Sequence, residues 1–137
     1  HRNIYRVHQR VAVRFREGRV FLAGDSAHVN NPIGGLGLNS GIHVATHLAE
    51  LLADERAGKR AESVFESYDA SRRPTNIEYV QQQTIANKKR LEERDPAARE
   101  ANFEALRKTA ADPAAHRAFL LKTSLIESVR KIKAAAE

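Results

Sequence analysis

The chain has 137 residues, 23 Lys or Arg against 17 Asp or Glu, and a formal net charge of +6 with its histidines neutral. That length suits one domain or a piece of a larger one, and 42% hydrophobic with 29% charged residues excludes a disordered, collagen-like or low-complexity chain. With no cysteine there is no disulfide framework, thiolate nucleophile or Cys-ligated metal, and a cytoplasmic location is expected.

The chain also lacks methionine, so His1 is not a translation start and the sequence reads as processed, truncated or a fragment. No apolar stretch approaches the roughly 20 residues of a membrane helix, so no membrane contact is expected. Basic and acidic residues number six and three over residues 1–53, five and five over 54–73, and twelve and nine from 74 onward. Lys88, Lys89 and Arg90 are followed at once by Glu92, Glu93 and Asp95. That is a mixed solvated surface rather than a phosphate-tracking stripe, so no nucleic-acid partner is expected.

In chain order, residues 3–15 interleave Ile4, Tyr5, Val7, Val11, Val13 and Phe15 with Arg6, His8, Arg10 and Arg14, the alternation of one or two half-buried strands. Glu17 and Gly18 make a turn. The unbroken run Val20, Phe21, Leu22, Ala23 then predicts a strand buried on both faces in a mainly parallel sheet, with neighbours from sequence before His1. Residues 30–41, rich in Gly, Asn and Pro, predict a loop. Ile42, Ala45, Leu48, Ala49 and Leu52 predict an amphipathic helix to about Ala53. A second helix carries Val64, Phe65 and Tyr68 and should stop near Arg73, because Pro74 disfavours helical backbone in the residue before it.

Beyond Pro74 the composition turns to Ala, Glu, Lys, Arg and Gln without glycine, and the tail is helical. Asp95-Pro96 and Asp112-Pro113 each place an N-cap before a first-turn proline. Ala118, Leu121, Leu125, Val129 and Ile132 fall on one face of a last helix, frayed from Lys131 to its end.

The chemistry concentrates in GDSAHVNNPIGGLGLNSG at residues 24–41. Asp25 follows a strand, at the edge where open α/β sheets place ligands, and its carboxylate suits a sugar-like hydroxyl; taken alone, it also reads as a turn cap. Gly34, Gly35 and Gly37 let the backbone approach a flat or anionic group just before a helix whose first N–H groups lack internal partners. That helix end stabilises negative charge, whether a phosphate or a reduced heteroaromatic ring. The spacing is neither GxGxxG nor a P-loop. His43 and His47 stand at the i, i+4 spacing of zinc helices, but no HExxH is present and no metal is expected with them or His28. Ser26, between Asp25 and His28, is too local for a triad.

Residues 18–28, GRVFLAGDSAH, followed by Pro32, Gly34-Gly35, Gly37, Asn39 and Gly41, resemble the second FAD-binding motif of the single-component flavin-dependent aromatic hydroxylases, the para-hydroxybenzoate-hydroxylase-like family. Ser67-Tyr68-Asp69 with Arg72-Arg73-Pro74 resembles the segment that follows it there. The resemblance covers about half the chain. It implies that Gly24 and Asp25 meet the ribityl chain of FAD and that Pro32 lies beside the reactive edge of the flavin. It implies further that Gly34, Gly35, Leu36, Gly37, Leu38 and Asn39 turn backbone N–H groups to the pyrimidine end of the ring. In such enzymes NAD(P)H reduces the flavin, O2 adds to it, and the flavin hydroperoxide hydroxylates an aromatic, commonly phenolic, substrate. No residue of this chain is then a proton-transfer catalyst.

The expected architecture is an α/β fragment: the end of a substrate-domain sheet over 1–18, the C-terminal part of an FAD-binding domain over 19–75, and a mainly α-helical extension over 76–137. The family's first GxGxxG motif is absent and is expected in the remainder of the protein before His1, so this chain alone should be an incomplete and inactive site. Val44 and His47 stand where many relatives carry Asp and Asn, which puts the local helix-to-sheet hydrogen bonds in question. The tail is expected to pack on the flavin domain, a homodimer interface being the other role weighed for it. The alternatives are a helical protein-interaction module with a vestigial flavin loop, and a flavin halogenase or epoxidase of the same fold.

Overall fold

In the computed structural model, which describes residues 2–4 and 6–134, short strands and turns give way after residue 35 to helices. Strand β1 (Arg10–Val11) pairs antiparallel with β4 (His28–Val29), Val11 lying opposite His28. Strands β2 (Arg16–Glu17) and β3 (Val20–Phe21) form a hairpin whose turn places Gly18 at φ +55°, where a Cβ would be strained. Of the alternating stretch 3–15, only β1 is strand; Tyr5 lies outside the described residues.

The run 20–23 differs from the expectation of a parallel strand buried on both faces. Its partner is the antiparallel β2, Val20 is 65% exposed, and Phe21 is half-buried. A hairpin arm covers one face only, and here Phe21 turns that face to Phe65, ring centroids 5.1 Å apart.

Helix α1 (Leu36–Arg56) begins well before Ile42, so Gly37 and Gly41 lie within it rather than in a loop. Tertiary packing overrides glycine's low helix propensity: Leu36, Ser40, Val44 and Leu51 are buried along one side. Helix α2 (Val64–Asn76) does not stop at Arg73 but runs through Pro74 into a π-helical segment (Ile77–Gln81) and then α3 (Gln82–Glu92). Pro74 deletes one N–H and crowds the preceding turn, and the wider π turn just beyond it accommodates the lost pairing, with Ile77 N–H reaching the carbonyls of Arg73 and Pro74. Burial of Asn76, Tyr79, Val80, Gln81 and Thr84 holds the helix through this defect.

Helices α4 (Pro96–Ala111) and α5 (Pro113–Thr123) start at the two Asp-Pro signals. The Asp95 carboxylate accepts from Ala98 N–H, and that of Asp112 from Ala114 and Ala115 N–H. The single helical face expected over 118–132 is broken: α5 ends at Thr123, Leu125 takes φ +63°, and α6 (Ile126–Ala134) restarts the helix. The kink drives Leu125 into a cluster with Leu36, Tyr79 and Val80. Residues 131–134, expected to fray, are helical in α6, held by buried Ile132 and by Lys131 paired with Glu78; residues 135–137 lie outside the described residues. A larger cluster of Phe15, Ala27, Val44, Leu51, Phe65 and Tyr68 joins the strands to α1 and α2. Short strands followed by mainly helical structure agree with the expected fold class. No helix among the described residues is long and apolar enough to cross a membrane.

Candidate functional site

The chain leaves β3 through Ala23 in extended conformation and turns at once into a 3-10 turn (Gly24–Ser26). Ser26 Oγ ties that turn by accepting from Ala23 N–H at 3.2 Å and donating to Ala23 O at 2.7 Å. Gly24 has φ +60°, and its Cα would lie 3.4 Å from a Cβ placed on Gly41. Two glycines thus let the turn press against the second turn of α1. Asp25, at the crest, is exposed, and its carboxylate engages no donor among the described residues.

Residues 30–35 form the loop before α1. Asn31 Oδ1 accepts from Ile33 N–H at 3.0 Å, an Asx turn, and Pro32 O accepts from Gly35 N–H at 3.0 Å. Gly35, at φ +64°, is the N-cap of α1 and offers no side-chain acceptor, and the first helical turn holds no acidic residue. The leading N–H groups of α1 therefore have no side-chain partner among the described residues, an electropositive end. Pro32, Gly34, Gly35, Leu38 and Asn39 are exposed around it. Gly37 is half-buried, its missing Cβ 3.0 Å from Asn30 Oδ1, and Asn39 Nδ2 donates to Gly35 O at 3.1 Å. Leu36 differs: its side chain is 5% exposed and belongs to the tail cluster, leaving only its backbone to the surface.

Helix α2 and the π segment hold the strand region that leads into this loop. Tyr68 is fully buried and donates to Leu22 O at 2.7 Å; Asp69 accepts from Phe15 N–H at 2.6 Å; Arg73 donates to Ala12 O at 2.9 Å. Gln81 Nε2 donates to Val29 O at 3.2 Å. Burial pushes the Tyr68 hydroxyl up to about 12, so it remains a donor. Sequence reasoning placed Tyr68 and Arg73 on the second helix and named them with Asp69 as motif letters, without a contact for any of them. Their work as a clamp on the strands before Asp25 depends on contacts distant in sequence, which spacing does not display.

The histidines are accounted for individually. Val44 is core, and His47 Nδ1 accepts from Arg72 Nε at 2.8 Å. Burial, then the charges of Arg72 and Arg60, lowers the His47 imidazole to about 4. His28 is 2% exposed, has no partner for either ring nitrogen among the described residues, and is lowered by burial despite Asp25 nearby. No group of three or more metal-type side chains converges among the described residues.

Tested against a flavin, this surface fits. An exposed carboxylate without a protein partner, open space over Gly24 and Gly35, and an uncapped helix N-terminus lie on adjoining turns. Together they offer an acceptor for hydroxyls and donors for a flat electron-rich ring.

Residues 1–83 match the family described as the FAD binding domain. The chain belongs to that family. Over 133 residues it is 40% identical to para-nitrophenol 4-monooxygenase of Pseudomonas sp. (strain WBC-3), covering 97% of this chain and 33% of that relative. It is 42% identical over 92 residues to 6-hydroxy-3-succinoylpyridine 3-monooxygenase HspB of Pseudomonas putida (strain DSM 28022 / S16), covering 67% of this chain and 23% of HspB. The crystal structure of p-nitrophenol 4-monooxygenase PnpA from Pseudomonas putida DLL-E4 superposes with a TM-score of 0.81 and 39% identity, over 91% of this chain and 31% of PnpA. The rebeccamycin biosynthetic enzyme RebC with reduced flavin gives 0.59 and 34%, over 75% of this chain and 22% of RebC. This FAD-binding-domain chain thus spans about a third of the first relative's length. Agreement with PnpA over 91% of the chain carries the correspondence into the helical extension.

Proposed function

We propose that the chain supplies the ring-binding portion of an FAD-dependent monooxygenase that uses NAD(P)H and O2 to hydroxylate an aromatic, phenol-like substrate. The observation carrying this reading is the pairing of Asp25, exposed and without a protein donor, with the uncapped N-terminus of α1, through the close contact of Gly24 with Gly41. The monooxygenase names of its relatives support the reaction class.

In this reading Asp25 accepts hydrogen bonds from the ribityl hydroxyls, with Gly24 keeping the turn tight enough to present it. The backbone N–H groups at Gly34, Gly35, Leu36, Gly37, Leu38 and Asn39 meet the pyrimidine end of the ring, where the helix end favours the negative charge of the reduced state. Pro32 shields the reactive edge and carries no proton. Bound FAD supplies the redox and oxygen chemistry. Sequence beyond this chain holds the nucleotide end of FAD and most of the substrate pocket, and a cysteine-free chain suits a reducing cytoplasm.

The test replaces Asp25 in the full-length protein. Asp25→Ala should weaken FAD binding by about ten- to a hundredfold, the worth of hydrogen bonds to a charged acceptor, with the circular dichroism unchanged. Asp25→Asn, which keeps one acceptor oxygen, should fall between. A full-length protein that folds and never takes up flavin would sink the proposal and favour a helical interaction module.

A further inference from the structure

Two irregularities of the backbone converge on one residue. The π-helical segment follows Pro74, and Leu125 takes a left-handed conformation at φ +63°. π turns and left-handed non-glycine residues persist only where the surrounding structure holds them, and both gather at functional sites. Here Tyr79 and Val80 of the π segment and the kinked Leu125 share one buried cluster with Leu36, the first residue of α1.

The π segment reaches the loop of residues 30–35 at both ends. At the entry, Gln81 Nε2 donates to Val29 O at 3.2 Å, while Gln81 O accepts from Gln9 Nε2 at 2.9 Å. At the exit, Leu36 is buried with Tyr79 and Val80. Helix α3, which continues the segment, sets Asn87 Nδ2 2.7 Å from where a Cβ on Gly34 would lie, within the loop itself. The segment is tied in turn to α6: Tyr79 Oη donates to Glu127 Oε1 at 3.0 Å, and Lys131 pairs with Glu78 at 2.6 Å. A π turn holds one residue more than an α turn, so without it the residues beyond would rotate by about 100° around the helix axis. Asn87 would then leave Gly34.

We propose, resting on the flavin reading above, that the π segment and Leu125 position the leading N–H groups of α1 and so set how strongly this helix end favours reduced over oxidised flavin. Gln81 and Leu125 are the positioning residues; neither touches the ring. The influence of a helix end on a charge falls off within its first turn. A small displacement of Val29 or Leu36, at the two ends of the loop, therefore changes what the ring experiences.

The test compares the affinities of the full-length protein for reduced and oxidised FAD, read from the midpoint potential of bound against free flavin, alongside the visible circular dichroism of the bound flavin. Gln81→Met leaves Val29 O without its donor. It should lower the preference for reduced flavin by about two- to fivefold, the range for one charge at a helix N-terminus, and alter the flavin dichroism. Leu125→Ala should do the same, and Leu125→Met, which keeps the side-chain volume, should restore the wild-type ratio. Phe65→Leu loosens the other buried cluster and should lower stability while leaving the ratio as it was. A ratio within about 1.5-fold of wild type in Gln81→Met, or an equal drop in Phe65→Leu, overturns the proposal; Gln81→Met decides alone where Leu125→Ala does not fold. An FAD-loaded protein whose ratio ignores Gln81→Met sinks this proposal and leaves the flavin reading standing. A full-length protein that folds without ever taking up flavin sinks both.

Discussion

Residues 9–81 and helices α4 and α5 are stabilised in different ways. In the first region, Phe15, Ala27, Val44, Phe65 and Tyr68 share one buried cluster, and the hydrogen bonds from Gln9 to Gln81 and from Phe15, Tyr68, Arg73 and Gln81 join residues 46 to 72 apart. In the second, no residue is buried, and the polar contacts are local: Asp caps, and Arg107 with Glu100 and Glu104. The loop before α1, which we propose presents backbone N–H groups to a flavin, is built on the part of the chain with the buried cluster, and on this packing the outer helices should open at lower free energy.

The largest effect that tests this contrast is a pair of phenylalanine truncations. Phe15, 0% exposed, should cost about 3–5 kcal/mol as Phe15→Ala, transfer and cavity terms together. Phe103, 49% exposed, should cost less than about 1 kcal/mol as Phe103→Ala. Urea denaturation of the full-length protein measures both; comparable losses would erase the distinction between the regions.

Leu125 sits at the hinge between them and sharpens the comparison with a reversal of the usual helix ranking. Its side chain is 2% exposed, yet its backbone lies at φ +63°. Leu125→Ala should cost about 2–5 kcal/mol for the lost side chain. Leu125→Gly should cost about 1 kcal/mol less than Leu125→Ala, because glycine is free of the Cβ clash that alanine retains there. If glycine proves the worse of the two by urea denaturation, the left-handed turn between α5 and α6 is not maintained in solution.

The same residue shows where sequence legibility ends. Leu125 continues an apolar stripe with Leu121, Val129 and Ile132, and periodicity alone reads one helix; only the pull of Leu36, Tyr79 and Val80 reveals the kink. Pro74 is the opposite error. A local rule ends the helix at Arg73, but buried Asn76, Val80 and Thr84 carry it onward through a π turn. Asp95-Pro96 and Asp112-Pro113 were fully legible, because capping is chemistry between residues a turn apart. The candidate site falls between. Asp25 and the glycines announce themselves through turn chemistry, whereas the Gly24 contact with Gly41 and the grip of Asp69 on Phe15 are products of the tertiary fold.

A pH titration should separate the regions by about 1–2 kcal/mol. His47 is lowered from 6.5 to about 4 by burial and by Arg72 and Arg60, so between those values the unfolded chain binds the proton that the folded chain refuses. Stability therefore rises with pH through that window: its full value holds above about 6.5, falls as pH drops toward 4, and levels below. The whole shift is worth about 3 kcal/mol at 1.36 per unit, and solvent screening of a half-exposed ring reduces it to about 1–2. His28, also lowered by burial, adds a slope of the same sign. His47→Gln, whose amide oxygen still accepts from Arg72, should flatten part of the acid-side loss measured by urea denaturation. An unchanged slope would mean that His47 titrates normally in the folded protein.

The smallest effect is a local one. Asp112 accepts from Ala114 and Ala115 N–H, and Asp112→Ala should cost about 1 kcal/mol of helix stability. Since α5 buries no residue, that loss lowers the free energy of opening α5 without lowering that of the whole fold. Amide hydrogen exchange should show it as a roughly fivefold faster exchange in α5, the equilibrium factor for about 1 kcal/mol. The Phe15 amide, held by Asp69 beneath the strands, should keep its rate. If Asp112→Ala speeds both amides equally, α5 unfolds only with the core, and the outer helices contribute to positioning the loop before α1 instead of riding beside it.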